Sequence, residues 1–220
     1  KARLRGRFHV AQAAAGLREG DWHLEGDLTG PEASEAALAW LLSAYLFDRY
    51  KTAKDQKARL KCPAGVDAAR ILALAAGEYL TRDLINTPAS DMGPEELETA
   101  ARQLASRHQA TIHSVVGDHL LAEGFPMIHA VGRASTRAPR LIEMRWCDAG
   151  PNLTLVGKGV CFDTGGLNIK TGGSMSLMKK DMGGAAHALA LERLVMSAEL
   201  PVRLYCCVPA VENAIGPNAF

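Results

Sequence analysis

Val156-Gly157-Lys158-Gly159-Val160-Cys161-Phe162-Asp163-Thr164-Gly165-Gly166-Leu167-Asn168-Ile169-Lys170, continued by Met178-Lys179-Lys180-Asp181-Met182-Gly183-Gly184-Ala185, sets charged residues into glycine-rich, apolar surroundings. Burying a charge is costly unless it is paired or bound to metal. The run is therefore either a salt-bridged core or a reaction centre, and its spacing favours the second. Leu153 to Val156 reads as a buried strand entering the run. Gly157, Gly159, Gly165 and Gly166 permit tight turns and close approach of backbone to a ligand. Asp163 falls on a loop beyond the strand end, where α/β sheets place their ligands. Asp181 precedes an apolar, alanine-rich helix from Met182 to Ser197, a position that suits a carboxylate. Both carboxylates can converge on one cleft.

Outward from this run the pattern is α/β. Pro94 opens a helix to His108. Strand-like runs come next at Thr111–Val115, Met127–Val131, Leu141–Arg145, Leu153–Val156 and Val202–Val208. Helices between some of them predict a mixed sheet flanked by helices. Upstream, Asp67 to Asn86 reads as a long helix that ends before Pro88. Pro31 to Tyr50 reads as an amphipathic helix with Glu32 and Glu35 near its start. Lys51 to Lys61 reads as a charged connection, and short strands are expected around Phe8-His9-Val10 and Trp22-His23-Leu24.

Composition bounds the function. The 220 residues are 48% hydrophobic and 22% charged, the mix of a globular protein. A net charge of +1 argues against a broad nucleic-acid surface. No apolar run approaches the roughly 18 residues of a membrane span, so no membrane partner is expected. Five cysteines without Cys-x-x-Cys spacing read as reduced thiols, which predicts a cytoplasmic protein. Cys161 and His187 read as packing residues, Lys179 and Lys180 as surface charges, and Glu212 as a structural residue.

The Lys158/Asp163/Lys170/Asp181 block resembles the leucyl (cytosol) aminopeptidase family of two-metal exopeptidases. Supporting segments are Asp83-Leu84-Ile85-Asn86-Thr87-Pro88-Ala89, Pro209-Ala210-Val211-Glu212-Asn213 and, further upstream, Ala39-Trp40-Leu41-Leu42 with Phe47-Asp48-Arg49-Tyr50-Lys51. The resemblance implies that Lys158, Asp163 and Asp181 are metal ligands, with Asp163 bridging two divalent ions, Mn2+ or Zn2+. It implies that Lys170 polarises the scissile carbonyl and stabilises the oxyanion, and that Met178 walls the pocket for the first side chain of a peptide substrate. It implies release of leucine and similar N-terminal residues by a homo-hexamer. Residues 1–66 would be the C-terminal part of an N-terminal α/β domain, 67–87 a linking helix and 88–220 the front half of the catalytic domain.

The chemistry is coherent with those roles. Lys158 can offer a lone pair only when neutral, and a nearby dication together with desolvation favours the neutral form. Lys170 must stay charged to face developing negative charge. One departure is that the family's site also draws on an Asn-Thr-Asp-Ala-Glu-Gly-Arg motif further along. The 220 residues contain neither it nor any Asp-x-Glu, so half of a metal site and a longer native chain are expected. Two other readings compete. One is a non-catalytic assembly or DNA-binding member of the same fold. The other is a phosphate-binding enzyme using Thr171-Gly172-Gly173-Ser174, which lacks the Gly-x-x-x-x-Gly-Lys-Ser/Thr and Gly-x-Gly-x-x-Gly patterns.

Overall fold

The computed structural model describes residues 7–52 and 57–217. The chain divides into two compact units, Lys1–Tyr79 and Leu80–Phe220.

In the first unit, α1 (Arg7–Ala15), β1 (Gly20–Trp22), α2 (Gly30–Ser43) and β2 (Ala58–Leu60) precede α3 (Ala68–Asn86), within which the division falls. β1 and β2 pair in parallel. Ala14, Trp40 and Ala58 form a small core, and Trp40 Nε1 donates to Ala58 O at 3.3 Å. Phe8–Val10, expected as a strand, is helical. The alanine-rich continuation Ala11 to Ala15 carries the helix, and a three-residue apolar run cannot decide between the two states. α2 starts where its capping residues place it, with Thr29 N donating to Glu32 Oε2 at 2.9 Å. It stops at Ser43 rather than Tyr50, and the Ser43 hydroxyl donates back to Trp40 O. Part of the Lys51–Lys61 connection is β2, while residues 53–56 lie outside the described residues.

The second unit carries the mixed sheet. Its elements are α4 (Pro94–His108), β3 (Thr111–Val116), α5 (His119–Ala122), α6 (Pro126–Gly132), β4 (Arg140–Trp146), β5 (Asn152–Val156), β6 (Gly159–Asp163), α7 (Gly172–Met175), α8 (Gly183–Ser197) and β7 (Arg203–Asn213). Strand order is β3-β4-β7-β5, and β6 also pairs with β7. β4 runs antiparallel to β3 and β7, whereas β5 and β6 run parallel to β7. β5 and β6 are one strand path interrupted at Gly157-Lys158: Val156 pairs with Cys207 and Gly159 with Ala210. Inward-facing Ile142, Met144, Leu204, Cys206 and Val208 pack against Leu97, Ala101 and Leu104 of α4 and Ala185, Leu189 and Met196 of α8. A buried ion pair, Arg140 to Glu98 at 2.6 Å, fastens β4 to α4.

Met127–Val131, expected as a strand, is the body of α6. Pro126 presets the first helical turn, and Ile128 packs on Val115, Leu120 and Leu141 beneath the sheet. Residues Gly159–Asp163, expected as turn and loop, are a strand. The glycines suggested turns, but the alternating Val160 and Phe162 pair with β7.

One buried group gives a measurable consequence. Glu192 of α8 is 0% exposed, and neither of its carboxylate oxygens receives a well-formed hydrogen bond. Burial pushes its pKa up to about 7, opposed by the neighbouring Cys206 thiol of β7. The folded state therefore holds a proton that the unfolded chain, titrating near 4.5, has lost. Stability should fall as pH rises from 4.5 to about 7 and level off beyond. Glu192→Gln should remove this slope, gaining on the order of 3 kcal/mol over wild type between those limits. Denaturant titration at both ends of the range checks it; an unchanged slope contradicts it.

Candidate metal centre

The site forms where the interrupted strand meets the start of α8. Gly157 and Gly184 make this approach possible: a Cβ on Gly157 would lie 2.6 Å from Ala185 Cα, and one on Gly184 would lie 2.8 Å from Lys158 N. No side chain fits in such a gap. Ala185 N donates to Lys158 O at 2.8 Å, locking the break in the strand to the first turn of the helix. Asp181 is delivered to the same place by a 3-10 turn, Met178–Met182, which packs on β6. Lys158 Nζ lies 2.8 Å from both oxygens of Asp181, but the angle makes a hydrogen bond only with Oδ1. Asp181 Oδ2 is buried and lacks a properly directed donor.

The second pair is built by a turn. Asp163 ends β6, and Gly165, at φ +88°, reverses the chain so that Lys170 N donates to Thr164 O at 2.8 Å. Lys170 Nζ then lies 3.0 Å from Asp163 Oδ2. Both carboxylates are well shielded, at 17% side-chain exposure, whereas the Lys158 side chain is 60% exposed and that of Lys170 30%. Burial raises the Asp163 pKa, but hydrogen bonds from Gly165 N, Lys170 and Asn213, with the Lys170 charge, outweigh it and hold the carboxyl below the usual 3.8. This stabilisation is present above pH 3.8 and is lost as pH falls through the depressed value.

Of the residues singled out in the sequence, Lys158 joins Asp181 and Lys170 joins Asp163; Lys158 precedes β6, Asp163 ends it, and Asp181 lies on the 3-10 turn that packs on that strand. Met178 begins that turn and is partly exposed. Lys179, expected on the surface, is partly buried and its Nζ donates to Asn86 O at 2.7 Å. His187, expected to pack, is exposed, with Nδ1 2.6 Å from Gly183 O. Cys161 is buried as a packing residue, and burial raises its thiol pKa. Glu212 is buried and takes Arg137 Nη1 at 3.1 Å and the Ser135 hydroxyl at 2.7 Å. Arg137 also donates to Ala89 O at 2.6 Å, tying the Asn86-Thr87-Pro88-Ala89 loop to the end of β7. Sequence reasoning passes over Arg137, Thr164 and the carboxamide of Asn213; the signal available is Asn213 directly after an acidic residue at the end of an apolar strand.

The donor set fits divalent cations. Two shielded carboxylates, one with an orphaned oxygen, supply hard oxygen ligands, and an amine supplies a nitrogen. Among the described residues, no three His, Cys, Asp or Glu side chains gather as a metal cluster, so the two aspartates with Lys158 could supply only part of a ligand set. Among the described residues, no helix is long and apolar enough to cross a membrane.

The mixed α/β sheet flanked by helices is shared with solved aminopeptidases. Residues 79–220 match the catalytic domain of the cytosol aminopeptidase family, and the chain belongs to that family. A probable cytosol aminopeptidase of Syntrophotalea carbinolica is 37% identical over 199 residues, covering 82% of this chain and 40% of that protein. The crystal structure of a cytosol aminopeptidase from Coxiella burnetii superposes with a TM-score of 0.92 at 45% identity, covering 97% of this chain and 47% of the other. The bottromycin maturation enzyme BotP, solved in complex with Mn, superposes with a TM-score of 0.83 at 30% identity over 98% of this chain and 50% of the other. The chain spans less than half the length of the curated relatives it matches first.

Proposed function

We propose that the full-length protein is a metal-dependent aminopeptidase that releases N-terminal residues, leucine and its like, from peptides. The observation that carries this reading is the paired arrangement Lys158–Asp181 and Lys170–Asp163 at the contact of β6 with the 3-10 turn. Membership of the cytosol aminopeptidase family and likeness to a manganese-bound relative support it. The alternative of a non-catalytic or DNA-binding member has no observation in its favour.

Lys158, Asp163 and Asp181 would hold two divalent ions, with further carboxylates coming from residues outside these 220. When bound, such ions supply Lewis acidity and an activated water at neutral pH. Lys158 would serve as a ligand only through the lone pair of its neutral amine, in place of its ion pair with Asp181. The Lys170 ammonium would turn from Asp163 to the scissile carbonyl and meet the negative charge that develops on oxygen. Met178, at the rim of the same turn, lines the pocket for the first side chain of the substrate.

We read residues 1–66 as the C-terminal part of an N-terminal domain, 67–87 as the linking helix and 88–220 as the front half of the catalytic domain. Cytoplasmic location and homo-hexameric assembly rest on the same family reading.

Hydrolysis of leucyl-p-nitroanilide by the full-length protein tests the function. Activity should vanish on exhaustive chelation and return with manganese or zinc. Full activity in metal-free protein, or none in manganese-loaded protein, contradicts the proposal.

A further inference from the structure

Asp163 and Asn213 stand side by side at the ends of β6 and β7 because of a bulge. Val160 pairs with Val211, but Phe162 pairs with Glu212, so the extra residue at Cys161 brings Asp163 opposite Asn213. Asn213 Nδ2 donates to Asp163 Oδ1 at 2.6 Å, and Gly165 N donates to the same oxygen at 2.9 Å. A carboxylate only accepts, so the amide nitrogen is the end of Asn213 that faces it. Two donors occupy both lone pairs of Oδ1, while Oδ2 is the oxygen turned to Lys170. Asn213 is itself held: Thr164 N and Oγ1 donate to its carbonyl at 3.0 and 2.7 Å, and Gly166 N donates to Thr164 Oγ1 at 3.1 Å.

We propose that Asn213 is a positioning residue that fixes the rotation of the Asp163 carboxylate so that Oδ2 is the oxygen presented to a divalent ion. This rests on the reading of Asp163 as a metal ligand. A neutral carboxamide suits the task. It orients the carboxylate without adding a positive charge that would repel the cation, and an oriented ligand loses less freedom when the ion binds.

The test is Mn2+ binding, measured by calorimetry, to metal-free full-length wild type, Asn213→Ala, Asn213→Leu and Asp163→Asn. Asn213→Leu keeps the approximate shape and removes the donor without adding charge, so it serves where alanine fails to fold. Affinity should fall about 10- to 100-fold in both Asn213 variants, the usual effect of losing an outer hydrogen bond to a ligand. The melting temperature of the metal-free proteins should stay near wild type, and kcat should recover at saturating manganese. If Asp163→Asn loses manganese while both Asn213 variants keep wild-type affinity, the role of Asn213 is refuted and the metal reading stands. If Asp163→Asn binds manganese like wild type, the metal reading itself fails. If both metal-free Asn213 variants are destabilised in proportion to their loss of affinity, the residue is structural and the proposal is overturned.

Discussion

Asp163→Asn in the full-length protein is expected to lower kcat/KM by more than about 1000-fold, beyond the roughly 10- to 100-fold cost of disturbing a group behind a ligand. The substitution is nearly isosteric, and the retained oxygen can still accept from Gly165 N and Asn213 Nδ2. What changes is the other end of the group. An amide NH2 replaces Oδ2, setting a donor where Lys170 Nζ stands at 3.0 Å and where a cation needs an anionic oxygen. Asp181→Asn should cost less. The Asp181 carboxylate is engaged by Lys158, and on the proposed roles it serves one ion while Asp163 serves two. Metal content and steady-state kinetics on both variants rank them. Asp181→Asn losing more metal and more activity than Asp163→Asn would reverse the assignment.

Lys170→Ala is expected to leave the metal content nearly unchanged and to cut kcat by about 100- to 1000-fold, the usual cost of one preorganised oxyanion donor. Lys158→Ala should instead weaken one metal position, so that high manganese partly restores turnover. Lys158→Arg should fail as alanine does, because the guanidinium stays protonated and offers no lone pair. The two lysines are held differently. Lys158 is anchored through its backbone, with its carbonyl accepting from Ala185 N, and the glycines beside it have no room for a side chain. Lys170 sits at the end of a turn whose Leu167 and Ile169 are exposed. If Lys170→Ala loses an ion while Lys158→Ala retains both, the roles are exchanged.

Much of the fold is legible because periodicity and stop signals agree. Helix Pro94–His108 begins at its proline and ends in Gln109, which takes the left-handed conformation at φ 56°. Strands β3, β4 and β5 fall within a residue of their expected bounds. Two misreadings share one cause: short apolar runs carry no period. Phe8–Val10 and Met127–Val131 are helical because of their neighbours in the chain, the alanines after Val10 and Pro126 before Met127. Gly159–Asp163 is hidden by its glycines, since only the pairing with β7, some fifty residues away, makes it a strand. In the site, charges among glycines announce Lys158, Asp163, Lys170 and Asp181. Which lysine meets which aspartate is not legible, because it depends on the strand break at Gly157-Lys158 and on the turn at Gly165. Asn213 and Arg137 are silent for the same reason: a neutral amide at a strand end and one arginine among many gain meaning only from the register of β6 against β7 and from the carbonyls of Ala89 and Ser90.

The central claim is that Lys158, Asp163 and Asp181 hold divalent ions while Lys170 does not. Anomalous diffraction from manganese-soaked crystals of the full-length protein measures this directly. The account predicts manganese peaks within bonding distance of the Lys158 amine and both carboxylates, with the Lys158–Asp181 ion pair broken and Lys170 Nζ outside the coordination sphere. Fully occupied manganese elsewhere, with both lysine–aspartate pairs intact, would contradict it.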